Sequence, residues 1–289
     1  MTRTRQTGRG DHYVGIAGKH CDRKTDKRPS DRKDHQRDQD PADAAPVCLF
    51  YGEQDKFAEY LEGQTITGAV AQGGMVQIDT QDSMIALNDG AYPRYYDDAK
   101  KFPKKHQFAV FFDDGTGIFV SIQMYGGITV APKGNCTESY YLSSSTKPNP
   151  LTEGFTYAYF RSLYPGAGKK LSAKAFLATQ QRIPGLGNGV LQDILWDAGI
   201  DPRFPMQDAS EEDFRILYGS VNKIIKEMTA KGGRDTERDL FGQKGNYVTQ
   251  LSKNSLNEPC IRCGYEIHKA NYMGGTIYFC EHCQRRTRQ

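Results

Sequence analysis

The chain has 289 residues, 38 Lys and Arg against 35 Asp and Glu, a formal net charge of +3 and a sequence pI of about 8.3. That length holds one large domain or two modest ones. So small an excess of positive charge excludes a histone-like polycation, and any nucleic-acid contact must come from a local patch.

No apolar run approaches the roughly 18 residues of a membrane span. The first residues lack the apolar core of a secretory signal. The expectation is a cytoplasmic monomer with no membrane segment.

Residues 1–46 differ in texture from everything after them. Between Asp22 and Asp40 there is no aliphatic or aromatic residue, only mixed charge with Pro29 and polar residues. Such a stretch cannot bury a core, and disorder is expected over 1–46. An out-of-frame reading that returns to frame near Cys48 would account for the change.

From residue 47 to 135 the pattern is of short strands. Thr65–Val70, Met75–Ile78, Ile85–Leu87, Phe108–Phe112 and Ile118–Ile122 are the candidates, with Asp113-Asp114-Gly115-Thr116 as a hairpin turn. Strands at this spacing suggest a sandwich or barrel.

Residues 150–255 read as helical. Phe155–Leu163 and Ser172–Gln181 are helix candidates. Asn188 is placed as the cap of a helix running to Ala198, closed by Gly199. Ser210 and Asp213 start a longer helix with an apolar face of Phe214, Leu217, Val221, Ile224, Ile225 and Met228. It ends at Gly232-Gly233.

The last segment, 256–289, carries Cys260-x2-Cys263 and Cys280-x2-Cys283 sixteen residues apart. A two-residue spacer lets each pair span one edge of a tetrahedron, so four thiolates and one structural Zn2+ are expected. A redox dithiol or two disulfides also fit the spacing, but neither accounts for equivalent pairs flanking a hairpin around Gly274-Gly275. His268 and His282 are surplus to such a site and read as surface residues. Cys21, Cys48 and Cys136 have no partner pattern and read as free thiols.

The most informative stretch is Gln181-Arg-Ile-Pro-Gly-Leu-Gly-Asn188-Gly, a glycine-rich turn that opens a helix. Glycines let a backbone approach a ligand, and a helix N-terminus offers N–H groups to an anion. With Gly199-Ile200-Asp201-Pro202 after it, Lys231-Gly-Gly-Arg-Asp-Thr and Tyr247 further on, and the cysteine ribbon last, the sequence resembles the formamidopyrimidine-DNA glycosylase/endonuclease VIII family. The resemblance covers roughly 48–289 and is most specific over 171–289.

It implies an α+β multidomain chain: an N-terminal β-sandwich over 47–135, a helix–two-turns–helix DNA-binding domain over 150–255 and a C-terminal zinc ribbon over 256–289. It implies base-excision repair, by a bifunctional DNA glycosylase and abasic-site lyase acting on oxidised bases in duplex DNA. Gly185, Gly187, Asn188, Lys231, Arg234 and Tyr247 are the implied DNA contacts, and the loop around 233–247 is implied to select the lesion.

The family's nucleophile is an N-terminal proline amine with a glutamate beside it. This chain reads Met1-Thr2-Arg3, with no proline before Pro29 and no glutamate before Glu53. No catalytic residue is therefore assigned, and a catalytically inactive damaged-DNA-binding protein stands as the alternative. The family's strand lysine falls near Met75 and its ribbon-hairpin arginine at Gly275. Its arginine and aromatic wedge fall near Gln123-Met124-Tyr125, where Met124 or Tyr125 suits either an apolar wedge or a place in the core or on the surface.

Overall fold

A computed structural model describes residues 14–16, 49–103, 106–122 and 126–287. Cys21, Cys48, Met124 and Tyr125 lie outside the described residues, as does the Asp22–Asp40 run. The described residues fall into two compact units, one holding 14–16, 49–71 and 76–138, the other 72–75 and 139–287.

The first unit is a β-sandwich. One sheet has the order β2-β9-β5-β4-β3, built from β2 (Leu49–Tyr51), β3 (Ile66–Gln72), β4 (Met75–Thr80), β5 (Ser83–Leu87) and β9 (Gly127–Pro132). The other has the order β1-β7-β8-β6, from β1 (Val14–Ile16), β6 (Ala91–Tyr96), β7 (Phe108–Phe112) and β8 (Gly117–Ile122). Ile78, Ile85 and Leu87 of the first sheet face Phe108, Val110, Ile118 and Val120 of the second across a shared apolar layer.

All five residues of β5 are buried, as befits a central strand covered on both faces. The β7–β8 turn forms where Asp-Gly stands. Gly115 takes φ 82°, and Asp114 Oδ1 accepts from Thr116 N at 2.9 Å.

Two features depart from the sequence reading. β1 lies inside the segment expected to be disordered, and Val14–Ile16 pairs antiparallel with Val110–Phe112. β6 escaped notice because Pro93 interrupts it; the strand lies at the sheet edge, where a missing N–H costs no ladder bond.

The second unit holds α2 (Ser139–Thr146), α3 (Tyr157–Ser162), α4 (Ala173–Ala178), α5 (Asn188–Asp197), α6 (Glu211–Ala230) and the hairpin β10 (His268–Tyr272)–β11 (Gly275–Phe279). A short α1 (Phe57–Leu61) belongs to the first. Thr156, Ser172 and Ser210 cap α3, α4 and α6, and Ser210 with Asp213 closes a capping box.

α4 stops at Ala178 instead of running to Gln181. Gln180 and Gln181 take φ 59° and 48°, which a helix does not admit. The core gathers Phe160, Phe176, Leu191, Ile194, Leu195, Phe214, Leu217 and Val221, the buried faces of α3 to α6. The helical segment and the ribbon thus share one unit. No described helix is long and apolar enough to cross a membrane.

Candidate functional site

The first turn of α5 is the centre of the site. Gly187 occupies the N-cap position with no side-chain cap, and Asn188 is the first helical residue. The capping role expected for Asn188 is therefore incorrect: its side chain points across to the ribbon. Asn188 Nδ2 donates to Thr276 O at 2.9 Å. One turn later Gln192 Nε2 donates to the same carbonyl at 3.2 Å, and Gln192 Oε1 accepts from Tyr278 N at 3.1 Å.

From α4, Lys174 Nζ donates to Tyr272 O at 2.6 Å. Burial holds this ammonium below the usual lysine range. Three side chains on two helices thus fix the hairpin beside the α5 N-terminus. A Cβ on Gly275 would sit 3.3 Å from Lys174 Nζ and 3.5 Å from the Asn188 amide carbon, so the clamp packs close against that position.

The first N–H groups of a helix have no acceptor within it and carry the positive end of its dipole. Gly185 takes φ 82°, and a Cβ there would lie 2.7 Å from Gly74 N. Only glycine permits this close approach of the 184–187 turn to the 73–74 turn.

Below the hairpin lie the four thiols. Their ligand atoms lie within 4.8 Å of one another, with Cys260 Sγ to Cys283 Sγ 3.8 Å and Cys263 Sγ to Cys280 Sγ 3.5 Å. Zinc–sulfur bonds of about 2.3 Å in a tetrahedron put sulfurs about 3.8 Å apart, so this set fits one such ion. Burial raises the Cys260 thiol, but donors from Trp196 Nε1, 3.4 Å away, and from the Arg262 and Cys263 amides outweigh it. The thiol is brought down to about 6.

The sulfurs are tied to the helices as well. Arg262 stacks 4.0 Å over Trp196, and Gln284 bridges Cys280 N to Ile200 O. His268 and His282 are outside the cluster, and His282 stacks on Tyr265 at 4.3 Å. Cys136 is free and half-buried.

The loop after α6 folds back on α5 through Asp193. Its buried carboxyl accepts from Gln250 N at 3.0 Å, Leu251 N at 2.8 Å and the Tyr247 hydroxyl. Burial pushes Asp193 up, the three donors opposing it, and pushes the Tyr247 phenol far above its ordinary range. Tyr247 is 3% exposed. It anchors this loop from inside the core and offers no surface to a ligand.

Lys231 caps α6, pairs with Glu227 at 2.7 Å and lies 5.5 Å over the Tyr247 ring. Arg234 pairs with Glu237 and packs on Gly189 of the α5 first turn. Gly185 and Arg234 line one cleft; Asn188 stands beside it on the ribbon side, and Lys231 is apart.

Sequence reading missed Lys174, Gln192 and Asp193. Their signal was present: Gln192 and Asp193 are polar residues inside the apolar run Leu191–Trp196, and buried polar groups there need partners.

No protein-family model matches the chain. Among curated proteins it is similar to the formamidopyrimidine-DNA glycosylase of Streptococcus thermophilus, 28% identical over 243 residues, which are 80% of this chain and 86% of that one. It is 27% identical over 254 residues to the Listeria innocua protein of the same name, covering 83% and 89%. The fold matches that of Lactococcus lactis Fpg solved in complex with abasic-site DNA, with a TM-score of 0.68 and 23% identity over 80% of this chain and 86% of that one. The same fold is found in that protein's complex with oxidised-pyrimidine DNA, at a TM-score of 0.67 and 24% identity. With the sandwich, the glycine turn opening α5, and the four-thiol ribbon in the expected order, the chain is similar to the formamidopyrimidine-DNA glycosylases over most of its length.

Proposed function

We propose that this chain is a base-excision repair protein, a DNA glycosylase and abasic-site lyase that holds duplex DNA at a damaged base or abasic site. The observation that carries this reading is the clamp of Asn188, Gln192 and Lys174 on the ribbon hairpin. It sets the free N–H groups of α5 and the hairpin beside each other as a pair of backbone contacts. Gly185, Gly187 and Asn188 would meet a phosphate there. Such contacts hold position and read no sequence, which suits a protein that searches for lesions.

The four thiols would hold one structural zinc ion, which supplies folding energy to the ribbon and no chemistry to the reaction. The reaction itself breaks a glycosidic bond at C1′ and opens the abasic sugar through an imine to a protein amine.

Borohydride trapping tests it. The chain is mixed with a labelled duplex carrying an abasic site, and the reductant is added. A covalent protein–DNA band is expected. No band, with binding to that duplex intact, would contradict the lyase and leave a damage-binding protein.

A further inference from the structure

The face of α5 that turns to the ribbon carries Asn188, Gln192 and Trp196, one helical turn apart in succession. Asn188 and Gln192 hold the hairpin through Thr276 and Tyr278. Trp196 reaches the sulfurs instead: its Nε1–H donates to Cys260 Sγ at 3.4 Å. The indole is 8% exposed and packs with Leu251, Ile267, Cys260 and Cys280.

Packing alone does not call for this bond. A phenylalanine would bury a similar ring with no N–H to satisfy. A neutral thiol is a weak acceptor, so a buried indole N–H directed at one gains little. A zinc-bound sulfur is different. It is a thiolate, and four of them outweigh the charge of one Zn2+ and leave the cluster anionic. A donor aimed at such a sulfur makes a charge-assisted bond, roughly twice as strong as a neutral one.

Arg262, between the two ligands of the first pair, completes the arrangement. Its guanidinium stacks 4.0 Å over the Trp196 ring, and its Nη1 donates to Trp196 O at 2.9 Å. That carbonyl lies in the last turn of α5, where the helix dipole favours a cation. The guanidinium thus fixes the plane of the indole whose N–H meets the sulfur.

We infer that Trp196 is an outer-sphere partner of the ribbon's zinc ion: its N–H, aligned by Arg262, stabilises the Cys260 thiolate and so sets how tightly the metal is held. This rests on the zinc reading above. Trp196 acts through Cys260 and is a positioning residue. It shares its face with Asn188 and Gln192, so the helix that opens at the proposed phosphate grip is also the one that retains the metal.

The test is the zinc affinity of the full chain, by competition with a chromogenic chelator, together with the thiolate-to-metal charge-transfer band of the Co2+-loaded chain. Trp196→Phe keeps a ring and removes the N–H. It should weaken zinc binding roughly ten- to a hundredfold, the usual scale for loss of an outer-sphere partner. A hydrogen bond lowers the energy of the sulfur donor orbital, so its loss should move the cobalt band to longer wavelength.

Unchanged affinity in Trp196→Phe would overturn the inference. So would a weaker affinity with the cobalt band unmoved, which would make the indole a packing residue. An unsubstituted chain that takes up neither ion overturns the four-thiol zinc reading, and the inference falls with it.

Discussion

Asn188 serves two elements at once. Its backbone begins α5, and its amide reaches the ribbon carbonyl of Thr276 at 2.9 Å. Asn188→Ala removes that bond at the point where a phosphate is proposed to sit. Binding to every duplex, damaged or intact, should fall together, by about tenfold for a net loss near 1.4 kcal/mol. A titration showing unchanged affinity would remove Asn188 from the grip.

Glu211 offers a test in pH. Hydrogen bonds from Tyr157 and Arg161 hold its carboxyl below its ordinary value of 4.5. A depressed carboxylate contributes stability that is full above its unfolded pKa and is lost as pH falls through the folded one. Tyr157→Phe should therefore lower Tm slightly near neutrality and make its decline below about pH 4.5 shallower, so that the two chains converge in acid; an unchanged acid slope would show that the phenol does not matter.

At the scale of elements, α5 is the beam to which the ribbon and the post-α6 loop are both fastened. Gln192 holds the hairpin, and Asp193 holds the 247–251 segment. Cys263→Ser should abolish stoichiometric zinc and release the hairpin from Asn188 and Gln192, because ligand removal unfolds such ribbons. Metal analysis that still finds one zinc per chain would refute the four-thiol ligand set.

The elements best read from the sequence were those with local signals. The capping box of α6, the Asp-Gly turn of β7–β8 and the paired Cys-x-x-Cys spacings all act over a few residues. What escaped was set by distant partners. Asn188 follows a glycine turn like many caps, and only the ribbon, 88 residues on, turns its side chain away. Tyr247 has the polar tip of a ligand-binding residue, yet Asp193 draws it into the core. The Arg234–Gly189 contact joins two positions that no local pattern links.

Over the whole molecule the charge excess is small, +3 in 289 residues. The chain has no bulk field to concentrate it on DNA, so affinity must come from a few placed contacts and preference from distortion at the lesion. The most direct measurement is competition binding of the full chain between an abasic-site duplex and the matching intact duplex, repeated as salt is raised. The account predicts at least about a tenfold preference for the abasic duplex, with both affinities falling as phosphate contacts release counterions. Equal affinity for the two duplexes, or binding indifferent to salt, would contradict it.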